Sequence, residues 1–279
     1  MEFESLALSN DFIFAKVMQD KKLCIKLLET ILNVKIRDIA YHEEQEVMED
    51  APDGKAVRLD VYLEDESNTV YDIEMQTTDT KELPRRSRYY QGRIDVANLD
   101  KGTDVTYRDL AKSFVIFICL KDVIGKGRHY YTFENRCNED PNTTLGDGAI
   151  KVFVSPDSEM DDINPELRNF LSYLGNGIVC DDFTRALDES VQHARKNKEW
   201  KEEYRMLDMQ RRIWEQNART EGVAEGRAEG RAEGRAEALF ALVQKEKLPI
   251  TDAAEEMGIS IPEFEKLMTD AGFKIPSMV

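Results

Sequence analysis

Residues 114–120 read FVIFICL, an unbroken apolar run. A run this short and without alternation fits a β-strand buried on both faces, and such a strand needs a sheet covered by helices on either side. The flanking sequence supplies them. Residues 10–33 repeat Phe14, Val17, Met18, Leu27, Leu28, Ile31 and Leu32 at helical spacing behind an SND start that offers an N-cap. Residues 36–47 read as a first strand and 58–76 as a hairpin. Residues 84–99 read as a helix with Pro84 in its first turn, and RHYYTFEN and AIKVFV as two further strands. The order α-β-β-β-α-β-β-β over the first 155 residues predicts an α/β fold with a mixed sheet.

Beyond residue 160 the texture becomes helical and charged. The expected division is a domain over 1–160, a helical region over 161–220, a tetrad repeat over 221–238 and a small helical tail over 239–279. The chain has 279 residues and is 41 % hydrophobic, enough for a sizeable core. Its formal net charge of −17 excludes a protein that coats nucleic acid by bulk electrostatics, so any contact with DNA must be made by a local basic patch. Cys24, Cys119, Cys137 and Cys180 are scattered, without a CxxC pair, which argues against zinc and against a disulfide framework. The N-terminus MEFESLALSND has no signal-peptide pattern, and no apolar run approaches the ~20 residues needed to span a bilayer. A soluble, cytoplasmic protein without membrane contact is expected.

The hairpin, RLDVYLEDESNTVYDIEMQ, carries the chemistry. Side chains alternate faces along a strand, so Leu59, Val61 and Leu63 share one face and Tyr71, Ile73 and Met75 share another. Superposing these apolar faces gives an antiparallel register that pairs residue 60 with residue 74. Asp60 then faces Glu74 with Cβ atoms ~4.5–5.5 Å apart, and Asp72 and Gln76 share the face of Glu74. Two facing carboxylates repel. Water at a rim would relieve this, and so would a divalent cation. Mg²⁺ takes oxygen ligands, commonly one or two carboxylates, and keeps waters and a phosphate for the remainder. The residues alone leave both readings open.

Immediately downstream, KELPRRSRYYQGR holds Lys81, Arg85, Arg86, Arg88 and Arg93 against one acid, Glu82, with Tyr89 and Tyr90 interleaved. Arg and Tyr together suit phosphate contacts and base stacking. A solvated basic face is the plainer alternative.

Taken in order, NDFIFAKVM, GKAVRLDVYLED, VYDIEMQ, RRSRYYQGRIDVANLDKGTDVTYRDL and FVIFICL resemble the PD-(D/E)xK nucleases. More narrowly they resemble the recombination-promoting nucleases of the Rpn type, also described as PD-(D/E)xK nuclease family transposases. The resemblance implies a restriction-endonuclease-like core, a mixed sheet flanked by helices, with a helical C-terminal extension. It implies a Mg²⁺-dependent DNA endonuclease, with Mn²⁺ as an alternative ion. Asp60 and Glu74 would bind the metal, with the backbone carbonyl of Met75 as a further ligand. Gln76 stands where the signature has Lys; it can orient a water but neither carry positive charge nor take a proton. Lys55 is a candidate substitute cation. Arg85, Arg88, Tyr90 and Arg93 would hold the DNA backbone. Asp11, in the ND motif, is either a helix cap or a further acid of the site, with the cap favoured. A catalytically degenerate module that binds DNA or self-assembles is the alternative function.

In EGVAEGRAEGRAEGRAEA, Gly recurs at 222, 226, 230 and 234. Within one helix each Gly is unfavourable, and Glu stacks on Glu and Arg on Arg at i,i+4. Two readings stand: a self-associating helix that makes a homodimer, or a flexible linker. The tail reads as a helical hairpin with Ala254 and Gly258 near its turn. Its six acids against Lys266 and Lys274 favour packing on protein over binding DNA.

Overall fold

The computed structural model of the chain describes residues 2–41, 60–99 and 106–276. It divides into two compact units, Met1–Tyr204 and Arg205–Val279.

The first unit is built on a six-stranded mixed sheet. Its strands are β1 (Ile39–Tyr41), β2 (Val61–Asp65), β3 (Val70–Gln76), β4 (Ser113–Cys119), β5 (Tyr130–Phe133) and β6 (Ala149–Val154), in spatial order β1-β2-β3-β4-β6-β5. β3, β4 and β6 run parallel, and β1, β2 and β5 pair antiparallel with their neighbours. The apolar run lies in β4, at the centre of the sheet, and every residue of that strand is buried. The β2–β3 register pairs Val61 with Ile73, Tyr62 with Asp72 and Leu63 with Tyr71. The index sum is the one that puts residue 60 opposite residue 74.

The predicted helix over 10–33 is two helices, α1 (Asp11–Val17) and α2 (Lys21–Leu32). The break is chemical. The Asp20 side chain accepts from the backbone N–H groups of Lys22 and Leu23 and starts a new helix. Asn10, not Asp11, caps α1: its side chain accepts from the N–H of Ile13 at 3.2 Å. The favoured role of Asp11 as the cap is therefore corrected; Asp11 is the first helical residue. The strand expected over 36–47 is described only as the short β1.

α3 (Leu83–Leu99) connects β3 to its parallel neighbour β4. Its Leu83, Tyr90 and Ile94 pack on Tyr62, Val70, Val115, Phe117, Cys119 and Phe153. That is the same sheet face to which Asp72, Glu74 and Gln76 belong, since Asp72 pairs with Val115, Glu74 with Phe117 and Gln76 with Cys119. The face bearing the carboxylates is thus a roofed interior, not a wet surface.

Two further helices, α4 (Pro165–Asn176) and α5 (Asp182–Lys196), pack on α1 and α2. Residues 161–204 consequently belong to the sheet unit, and the division expected at 160 falls at Tyr204/Arg205. α6 (Lys198–Gln244) is one 47-residue helix that contains the tetrad repeat.

In the second unit the end of α6 packs with α7 (Ile250–Met257) and α8 (Ile261–Asp270). The core is Leu239, Phe240, Val243, Ala253, Ala254, Phe264 and Met268. Gly258 closes α7 at φ 69°, a left-handed conformation that glycine adopts without strain. No helix among the described residues is long and apolar enough to cross a membrane.

Candidate active site

Asp60 does not lie within the ladder, as the sequence suggested, but immediately before β2. Its backbone N–H donates to Oε1 of Glu74 at 3.1 Å. In return the N–H of Met75 donates to Oδ2 of Asp60 at 2.9 Å. Each carboxylate is therefore fixed by the other residue's strand, and the two acids stand side by side at the open end of the β2–β3 pair.

A third acid completes the cluster. Asp72 is fully buried, and neither of its oxygens has a hydrogen-bond donor in reach. Its charged neighbours are the carboxylates of Glu74 and Asp60. Burial, then the charges of Glu74 and Asp60, push Asp72 well above the usual carboxylate range. Burial also raises Asp60, with the charge of Glu74 second and that of Asp11 contributing. Glu74 is raised by burial too, against the opposing pull of Arg86.

Arg86 reaches this cluster from α3. Its Nη2 donates to Oε2 of Glu74 at 2.7 Å, its Nη1 to Oε1 of Gln76 at 2.8 Å and its Nε to the Tyr90 hydroxyl at 2.7 Å. The guanidinium carbon lies 5.1 Å from the Tyr90 ring centroid and 5.5 Å from that of Phe117. Gln76 is also held at its other end, where Nε2 donates to the carbonyl of Thr78 at 2.7 Å.

The basic run divides between the two faces of α3. Arg85, Arg88 and Tyr89 are exposed. Tyr90 is 6 % exposed and stacks on Phe117, and Arg93 is 8 % exposed. The contacts with DNA expected of Tyr90 and Arg93 do not fit this burial, whereas Arg85 and Arg88 are accessible. Sequence reasoning counted Arg86 in the patch but gave it no place among the site residues. The spacing was the available signal, because 86, 90 and 93 recur at i, i+4 and i+7 and so share the inward face with Leu83 and Ile94. Lys55 lies outside the described residues.

Among the described residues no group of three or more His, Cys, Asp or Glu side chains is placed to hold a metal ion. Two carboxylates with a backbone carbonyl and waters suffice for Mg²⁺. Asp60 and Glu74 fit that requirement. Glu74 is buried and Asp60 half-buried, burial raises both carboxyls and the charge of Glu74 raises Asp60 further, and beside them lies an Asp72 that has no donor.

Residues 8–145 match a protein family described as PD-(D/E)XK nuclease family transposase. The span takes in α1, the hairpin, α3 and β4. Neither the curated proteins nor the solved structures gave a match. The region 8–145, which carries Asp60, Glu74, Gln76 and Arg86, is thus that of a PD-(D/E)XK nuclease family transposase.

Proposed function

We propose that the protein is a metal-dependent DNA endonuclease that hydrolyses phosphodiester bonds in a recombination-promoting or transposase-like role. The observation that carries this reading is the hold between the Asp60 and Glu74 segments, which brings a half-buried and a buried carboxylate together at one end of the sheet. Asp60 and Glu74 would hold Mg²⁺ or Mn²⁺, with the Met75 carbonyl as a further ligand. A bound divalent ion supplies Lewis acidity and lowers the pKa of an attacking water. Asp60 is fixed through Oδ2 by the Met75 N–H, and Oδ1 would be the oxygen it offers to the ion. Gln76 has no proton to exchange and serves only to orient. Arg85 and Arg88, on the exposed face of α3, position the DNA backbone by contacts that carry charge without sequence information.

The experiment is plasmid nicking by the full chain in Mg²⁺, with Asp60→Ala as control. Metal-dependent nicking lost in the variant supports the reading; nicking that survives the substitution points to another site. A second reading, a non-catalytic module that binds DNA, is favoured by one observation: Gln76, not Lys, follows Glu74 by two residues. Binding in Ca²⁺ without cleavage in Mg²⁺ or Mn²⁺ would select it.

The same reading includes a homodimer through the 221–238 repeat. An added Cβ at Gly222, Gly226, Gly230 or Gly234 would meet nothing, so contacts within the chain do not require glycine there. Met206, Met209, Ile213 and Val223 are exposed at positions 206, 209, 213 and 223, on one heptad stripe of α6. Truncation after residue 220 followed by light scattering tests it: the dimer reading predicts half the oligomeric mass per particle, and an unchanged assembly state contradicts it. The four free cysteines fit a cytoplasmic, reducing location.

A further inference from the structure

Residue 76 is glutamine, so β3 offers no cation beside Asp60 and Glu74. A cation nonetheless reaches the cluster, from a different element. We infer that Arg86 is the positioning residue of this site, clamping Glu74 and Gln76 from α3 and supplying the positive charge that position 76 lacks. The inference rests on the reading of Asp60 and Glu74 as ion ligands.

Three features single out Arg86. First, its guanidinium uses three separate nitrogens on three separate acceptors: Glu74, Gln76 and Tyr90. A planar fork can bridge acceptors in this way, whereas an ammonium cannot hold all of them in one plane. Second, the rings of Tyr90 and Phe117 lie against the guanidinium and fix its plane, while Tyr90 is itself held by Phe117 at 6.1 Å between centroids. Third, both acceptors are constrained at their far ends. Oε1 of Glu74 accepts from the N–H of Asp60, and Nε2 of Gln76 donates to the carbonyl of Thr78. Arg86 therefore closes a rigid chain that runs from Asp60 through Glu74 to Gln76. Its side chain is 32 % exposed, against 2 % for Glu74, so the clamp stands at the solvent side of the cluster.

The charge has a direct consequence. Asp60, Asp72 and Glu74 repel one another in a buried setting, and Arg86 opposes that repulsion before any ion is present. An ion that enters the site meets a partly neutralised cluster. Removing Arg86 should destabilise the metal-free protein and make it more dependent on the ion.

The test uses the full chain as wild type, Arg86→Gln, Arg86→Lys, Glu74→Gln and the Arg86→Gln/Glu74→Gln double variant. Melting temperature is measured without metal and with Mn²⁺ alone, and kcat and KM on plasmid DNA. Arg86→Gln should lower the metal-free melting temperature by about 5 °C or more, and Mn²⁺ should raise it by more than it raises the wild type. In the Glu74→Gln background most of the metal-free loss should vanish, because the charge that Arg86 balances is gone. Arg86→Lys should keep most of the metal-free stability yet lose about 10-fold or more in kcat at nearly unchanged KM.

Additive effects of Arg86→Gln and Glu74→Gln on melting temperature would overturn the proposal. So would full kcat in Arg86→Lys, or an equal Mn²⁺ gain in Arg86→Gln and wild type. If the wild type neither cleaves nor responds to Mn²⁺, the nuclease reading falls. The metal-free double-variant cycle then still decides whether Arg86 clamps Glu74.

Discussion

In the unit Met1–Tyr204, Asp72 and Glu74 are buried in the sheet beneath α3. In the unit Arg205–Val279, Asp252, Glu255, Glu256, Glu263 and Asp270 stand exposed around a core made only of apolar side chains. The second arrangement is what stability alone selects, since burying a carboxylate carries a desolvation penalty that Leu or Phe does not. The first departs from it at Asp72 and Glu74, with the half-buried Asp60 beside them, and sets the guanidinium of Arg86 against the cluster. Local rules broken together, at the end of a strand and beside an accessible basic helix face, mark a site under a demand other than folding.

The sharpest way to break this comparison is to neutralise one acid of the cluster. Asp60→Asn keeps the shape and should reduce metal-dependent nicking by about 10³-fold or more, since the ion loses one of its two carboxylates. Its fold, followed by circular dichroism, should be kept. A comparable change among the outward acids, Glu263→Gln, should leave nicking unaltered.

The converse substitution strikes the apolar core. Phe264 is fully buried against Phe240, with ring centroids 5.0 Å apart. Phe264→Ala should cost about 3–5 kcal/mol, measured by urea denaturation followed through the helical signal. That loss is large for so small a core and should melt α7 and α8. A loss below about 1 kcal/mol would show that the unit does not depend on this packing.

Acidity sharpens the contrast further. Asp60, Asp72 and Glu74 are held above their unfolded values, chiefly by burial. The folded state therefore keeps protons that the unfolded chain has released. The stability this confers is fully present below about pH 4 and is lost as pH rises through the raised folded values. The urea midpoint of the metal-free protein should fall as pH rises from 5 toward 8, and Asp72→Asn should flatten that slope. A midpoint that climbs over the same interval would contradict the assignment.

The smallest effect concerns the thiols. Cys24 and Cys119 are buried, and burial pushes each up to about 12, whereas Cys137 and Cys180 are exposed. A thiol reagent at neutral pH should label two sites in the folded chain and four after unfolding.

Much of this was legible in the sequence. The unbroken apolar run located β4, and alternation in the hairpin gave the register that sets residue 60 against residue 74, because a slip by one residue would have turned every apolar side chain outward. What was not legible depended on what covers the sheet. The face with Asp72, Glu74 and Gln76 read as polar, with a wet rim and a cation site both open, yet α3 roofs it. The basic run read as one patch because charge is visible in a sequence and facing is not. Only when α3 is docked do Arg85 and Arg88 separate from Arg86, Tyr90 and Arg93. The break at Asp20 was missed for a related reason: the apolar spacing continues across it, and one capping side chain decides the matter.

The central claim is that Asp60 and Glu74 share one divalent ion. A crystal of the full chain grown with Mn²⁺ tests it most directly, through the anomalous signal of the metal. The account predicts a peak within coordination distance of a carboxylate oxygen of Asp60 and one of Glu74. A cleaving protein whose Mn²⁺ peak lies away from both residues would contradict it.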